Sequence, residues 1–202
     1  MKRIFTLIIV AMALNLNAQQ FVSTTPQNRN VVIEEFTGIN CPNCPDGHVV
    51  ANNIVNAYPD RVWAVNIHAG SYAPMYYPNF NTTDGTAIYN GFNVTGFPQA
   101  VVNRSTDYGL GRTDWATHTN QQMGQIAECN VGGQVVINSE ARTATITVEV
   151  YYVSNSASST NYLNVIMLED DIIGPQANGY TNPSQYINGQ YHHNHVFRDA
   201  VT

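Results

Sequence analysis

With 202 residues, 44% of them hydrophobic and only 11% charged, the chain can build one large core or two small ones and is not a disordered segment. Its net charge of −6 argues against nucleic acid and anionic membrane surfaces as partners, because both require clustered Lys and Arg.

The N-terminus reads as a secretory signal. Lys2 and Arg3 supply a positive start, Ile4 to Leu14 an apolar stretch, and the small residues up to Ala18 a cleavage site after residue 18. The apolar run is too short to span a bilayer, so no transmembrane span is expected in the mature chain. No cysteine lies near the cut to carry a lipid. Removing Lys2 and Arg3 reduces the eight basic residues to six against fourteen acidic ones, a net charge of about −8, and leaves no lysine.

Residues 19–30 are polar and patternless and are predicted to be a tether. The spacing then predicts a strand from Val31 to Phe36, a helix over 45–57 with Pro45 in its first turn, and a second strand over 62–67. An aromatic loop follows, with Tyr72, Met75, Tyr76, Tyr77 and Phe80 either presenting a binding surface or capping the sheet. A short helix near 84–89, a loop ending in Pro98, a Val-rich strand and a weaker helix over 114–128, capped by Thr113 or Asp114, complete an alternating α/β pattern. From about residue 130 the pattern becomes all-β, with strands over 131–138, 143–153 and 162–169 between Ser/Asn/Gly turns. That second part shows too few strands for a full sandwich.

Cys41 and Cys44 form a C-x-x-C between the first strand and the first helix, and Cys129 is left over. Export places them in an oxidising compartment. A helix N-terminus favours thiolate over thiol, so Cys41 can act as a nucleophile and Cys44 as the resolving thiol. A structural disulfide is the competing reading. A c-type haem site is excluded because Pro45, not histidine, follows Cys44. A zinc site would need two more ligands, and His48 and His68 are candidates by sequence only. Near the C-terminus, His193 and His195 would share one face of a strand and His192 the other. The favoured reading is polar surface, since no carboxylate or cysteine sits at ligand spacing. Glu169, Asp170 and Asp171 read as a solvated turn. No cofactor or metal site is expected.

The strand–C-x-x-C–helix context resembles the thioredoxin fold. That resemblance implies a buried acid at Glu35, which assists deprotonation of Cys44. It also implies a cis-proline at Pro98, in Gly96-Phe97-Pro98, beside the disulfide. The chain departs from thioredoxin at Asn40, where tryptophan is usual, at Pro42-Asn43 and at Pro45. The direction of electron flow therefore stays open.

On the stretches VVIEEFTGINCPNCPDGH, GFPQAVVNR and YHHNHVFRDAVT, the chain after the tether resembles the twenty-eight-kilodalton outer-membrane-protein (Omp) family of Bacteroidetes. The resemblance implies a cell-envelope protein, exported to the periplasm, outer membrane or cell surface. It implies an α/β thioredoxin-like domain over 31–129, a mixed sheet with flanking helices, followed by a partial, immunoglobulin-like β-sandwich over 130–202. One functional expectation is a thiol–disulfide oxidoreductase with Cys41, Cys44, Glu35 and Pro98 at its site and an envelope protein as substrate or redox partner. The other is a non-enzymatic adhesion or assembly protein in which Cys41–Cys44 is a staple. An accessible Cys41 sulfur beside a cis Pro98 favours the first; a buried sulfur or a trans bond weighs heavily against it.

Overall fold

The computed structural model describes residues 21–75 and 77–201. The expected signal segment lies outside the described residues. The described residues form two compact units: one within 27–127 and 157–201, the other 21–26 with 128–156.

The larger unit is mixed α/β. Its central strand is β1 (Val31–Thr37), paired in parallel with β2 (Val62–His68), Val31 opposite Val62 and Thr37 opposite His68. With side chains packed over both of its faces, β1 is buried almost throughout, Glu34, Glu35 and Thr37 included. Between these strands runs α1 (Cys44–Ala57), with Pro45 in its first turn, where a missing N–H costs nothing. On the other side of β1 lies β3 (Gln99–Val102), antiparallel with Ile33 opposite Val102, and beyond it β4 (Leu110–Gly111). Two more helices, α2 (Thr83–Asn90) and α3 (Trp115–Met123), precede β3 and follow β4 respectively. The Thr82 side chain caps α2 by accepting from the Gly85 N–H at 3.0 Å. Asp114 stands at the N-cap of α3 but makes no side-chain cap bond.

Alternation along β1 sends its residues into two cores. Val31 and Ile33 join Ala51, Ile54 and the fully buried Trp115 beneath α1 and α3. The Trp115 indole N–H donates to the Leu110 carbonyl at 2.9 Å, so this large apolar side chain is buried with its polar atom satisfied; burial of such a ring stabilises by roughly 4–6 kcal/mol at about 25 cal/mol per Å². Phe36 faces the other way, toward Val65, Ile67, Val101 and Phe197, with Ile88 and Tyr89 of α2 covering them.

The smaller unit holds an antiparallel hairpin, β5 (Cys129–Asn138) and β6 (Thr143–Tyr152), in unbroken register from Cys129–Tyr152 to Asn138–Thr143. Val131, Val135, Ile137, Ile146, Val148 and Val150 lie on one face of it. Residues 21–26 belong to this hairpin: the Phe21 and Val22 N–H groups donate to Glu149, and the Asn130 amide donates to the Ser23 and Thr25 carbonyls. In the larger unit, Asn28 bridges Ile126. Residues 21–30 are therefore not a free tether.

The boundary expected at 129/130 is corrected as well. After the hairpin the chain returns to the larger unit, as β7 (Ile166–Glu169), β8 (Ile172–Gly174), β9 (Tyr186–Ile187), β10 (Gln190–His193) and β11 (Val196–Ala200). β11 pairs in parallel with β2 and antiparallel with β7, giving one mixed sheet in the order β4-β3-β1-β2-β11-β7. β8, β10 and β9 make a separate three-stranded sheet. The reason is that β2 has an open edge, and buried Val196 and Phe197 supply the strand that covers it. The all-β part among the described residues is a two-stranded hairpin, not a sandwich over 130–202.

Candidate functional site

Cys41 and Cys44 are joined by a disulfide at the start of α1, with their Cα atoms 5.4 Å apart. The loop from Gly38 to Asn43 places them there, and its close approach to Tyr72 requires a glycine: a Cβ at Gly38 would stand 2.3 Å from the Tyr72 carbonyl oxygen. Cys129 is a free, half-buried thiol at the start of β5 in the other unit.

Glu35 follows from the alternation of β1. It shares the α1-facing side with Ile33 and Thr37 and is fully buried. One turn into α1 beyond Cys44, Gly47 makes room for it: a Cβ there would lie 2.5 Å from Glu35 Oε1 and 2.7 Å from the Pro98 ring. The Phe97–Pro98 bond is cis. Glu35, Gly47 and Pro98 thus converge against the first turns of the helix that carries the disulfide. Among the described residues, no group hydrogen-bonds to either Glu35 oxygen. Burial holds the Glu35 carboxyl well above the ordinary carboxylate range; the Arg112 charge opposes this and Asp46 adds to it.

His48, one residue further along α1, was weighed from sequence only as a zinc ligand. It is buried, and its ring bridges two strands: Nε2 lies 3.0 Å from Thr37 Oγ1 and Nδ1 lies 2.6 Å from the Tyr191 hydroxyl of β10. The Tyr191 hydroxyl in turn donates to Gln185 Oε1 at 3.2 Å and accepts from the Asn182 amide at 3.2 Å. Glu35 Oε1 is 3.8 Å from His48 Nε2. Burial, then the charges of His193 and His195, push His48 down to about 3.

The two sequence criteria for an active pair part company here. Pro98 is cis, but Cys41 is only 1% exposed and Cys44 fully buried. The cover is the segment between β8 and β9. Gln176 donates its amide to the Cys41 and Gly38 carbonyls at 3.0 and 3.3 Å, the Ala177 N–H donates to the Ile39 carbonyl at 2.8 Å, and Asn178 donates to the Pro42 carbonyl at 3.3 Å. Nothing in the local sequence signals this, since the contacts span more than 130 residues.

The remaining candidates divide. The histidine strand ends at His193, and His195 sits outside it with φ of +55°, so the expected shared face of His193 and His195 does not form. His193 is buried against His68, Phe80 and Tyr191, and burial pushes it down to about 4. His192 pairs with Asp171, His195 with Asp170, and Arg198 with Glu169. The histidine and acidic clusters, separate in sequence, therefore meet. In the described residues no three His, Cys, Asp or Glu side chains converge as metal ligands. Of the aromatic loop, Phe80 enters the core and Tyr72 packs on Phe97, while Met75 and Tyr77 are exposed; Tyr76 lies outside the described residues. No described helix is long and apolar enough to cross a membrane.

Residues 85–202 match the model of a family described as outer membrane protein Omp28, and the match begins beyond the cysteine pair. Among solved structures, HBP35 of Porphyromonas gingivalis is similar over 87% of this chain, with a TM-score of 0.61 at 19% identity. This chain spans 57% of that one. A crystal structure of an Agrobacterium tumefaciens protein is similar over 86% of this chain and 72% of its own, with a TM-score of 0.55 at 13% identity. Likeness at these identities speaks to fold alone. No curated protein matches the chain.

Proposed function

The chain belongs to the Omp28 outer-membrane-protein family, which makes it an exported protein of the periplasm or outer membrane, and from that premise we propose that it is an envelope thiol–disulfide exchange protein of thioredoxin-like fold. The larger unit's parallel β1–α1–β2 crossover, with antiparallel β3 entered through a cis-proline, supports that fold. Cys41 is the attacking thiol and Cys44 the resolving thiol. Glu35 takes the Cys44 proton, and Pro98 shapes the groove beside the disulfide. The partner is an envelope protein carrying a disulfide or a thiol pair.

One observation carries this reading: the fully buried Glu35 carboxyl, without a hydrogen-bond partner, set against Gly47 in the first turn of the helix that begins at Cys44. An inert staple gains nothing from such a group, which costs about 1–3 kcal/mol in desolvation. A proton acceptor for a buried thiol needs it, and perturbed buried acids gather at working sites. Access to Cys41 then requires the 176–178 cover to lift, breaking a handful of hydrogen bonds rather than a core.

The burial of both sulfurs favours a second reading, in which Cys41–Cys44 is structural and the protein serves adhesion or assembly. Titrating the pair against glutathione, with free thiols trapped, separates the two. Fast exchange with a potential between about −120 and −270 mV supports the exchange protein. Slow exchange with a potential below about −300 mV overturns it in favour of the staple.

A further inference from the structure

A two-stranded hairpin standing alone in water is marginal; it needs a further strand or a cover over its apolar face. The β5–β6 hairpin pairs ten residues of each strand and makes a sheet of its own. Its register sorts the side chains. From Val131 opposite Val150 to Ile137 opposite Ala144, every pair on one face is apolar, with Gly133 opposite Val148 at the centre. Asn130, Gln134, Thr145, Thr147 and Glu149 stand on the other face. That polar face has its cover within the chain: Asn130 and Glu149 hold residues 21–26, and Phe21 lies against Gly132. The apolar face lies open, with Ile137 75% exposed, Val131 60% and Val135 57%. A Cβ added at Gly133 would meet nothing nearer than the Thr147 carbonyl oxygen of the same hairpin, at 3.4 Å.

We propose that this face is a self-association surface, on which a second copy of the chain seats its own hairpin, apolar face to apolar face. The face carries no charge, so nothing in it selects a charged partner. An identical hairpin has the same length, pleat and twist, so the two sheets align and interdigitate about 10 Å apart, as the layers of a sandwich do. Edge-to-edge pairing would extend the sheet and leave the apolar side chains in water. The area is sufficient. Strands of ten residues run about 33 Å, and packing the face on its equal removes about 500 Å² from each copy, about 1,000 Å² in all. That is the lower end of specific interfaces, so the dimer dissociates on dilution. The association is isologous, with a two-fold axis relating the two faces, and it does not depend on the exchange reading.

Sedimentation velocity of the exported chain, from about 1 to about 300 μM, tests it. The mass should rise with concentration toward twice that of the monomer. Added sulfate should move the midpoint to lower concentration, because both copies are acidic and the contact is apolar. Gly133→Glu places a charge at the centre of the face, in space the hairpin leaves open. It should spare the fold and raise the midpoint about tenfold or more. Gln134→Glu makes the same change of charge on the opposite face and should stay within about twofold. Circular dichroism and thermal melts check that both variants fold. A chain that stays monomeric throughout, or that instead cosediments as a monomer with phosphatidylcholine vesicles, overturns the proposal. So does a dimer left unchanged by folded Gly133→Glu, since that dimer uses another surface.

Discussion

Gly47→Ala tests the packing on which the site depends. In α1 the exchange should help by at most about 1 kcal/mol, because alanine is the better helix former. The new methyl would instead lie 2.5 Å from Glu35 Oε1, and 2.7 and 2.9 Å from two Pro98 ring carbons. None of these atoms is the free end of an exposed side chain: Glu35 is fully buried and the Pro98 ring is fixed in its loop. Overpacking of this kind costs about 1–3 kcal/mol, and two unyielding neighbours place it in the upper half of that range. The net loss is about 1–2 kcal/mol, a fall in Tm of roughly 2–8 °C for a domain of this size. Differential scanning calorimetry of the oxidised chain reads it directly. Gly124→Ala is the control, since its Cβ would meet only backbone oxygens at 3.5 Å and beyond, and it should stay within about 0.5 kcal/mol. A Gly47→Ala variant melting at or above the parent would refute the close approach of Glu35, Gly47 and Pro98.

Acid should unfold the protein through its buried histidines. His48 and His193 are held down to about 3 and about 4, and His68 well below its ordinary value, while the unfolded chain takes up protons near pH 6.5. Their contribution is present above about pH 6.5 and is lost as the pH falls toward the folded values, by up to about 1.4 kcal/mol per pH unit for each. Urea midpoints that stay flat from about pH 7 to 5 would contradict this. Glu35 has the opposite sign: its raised folded value gives a contribution fully present below about pH 4.3 and lost as pH rises from there through the folded value. Glu35→Gln should therefore gain about 1 kcal/mol near pH 7.5 by urea titration; a less stable variant would count against a buried carboxyl without a hydrogen-bond partner. Gln176→Ala removes two hydrogen bonds from the cover and should speed reduction of Cys41–Cys44 by dithiothreitol about fivefold, the equivalent of about 1 kcal/mol; an unchanged rate would mean that this segment does not guard the disulfide.

What could be read in the chain was local. β1, α1, β2 and α2 announce themselves by period and by turn residues, and the disulfide by its spacing and compartment. The cis bond at Pro98 was legible only through a resemblance. His48 lay closer to view than it seemed: four residues after Cys44 on one helix, it had to share that residue's face. It was weighed as a metal ligand because its real partners, Thr37 and Tyr191, lie on two strands, one of them 143 residues away. For the same reason the assignment of 166–200 to a second domain failed. Strand period does not reveal which sheet a strand joins, and the open edge of β2 is a property of the assembled sheet. The short polar stretch around Gln176 carries no motif, and only its seat on the Cys41 loop gives it meaning.

The edge of β2 is covered by β11, whose Val196 pairs with Asn66 and so leaves the ribosome long after it. A chain delivered N-terminus first therefore exposes Cys41 and Cys44 to the envelope's oxidants while Gln176, Tyr191 and β11 are still unsynthesised or in transit. During that interval the two thiols are ordinary, accessible cysteines. Burial arrives only when the segment around Gln176 docks on the Cys41 loop, so the pair is more open to oxidants before that docking than after it.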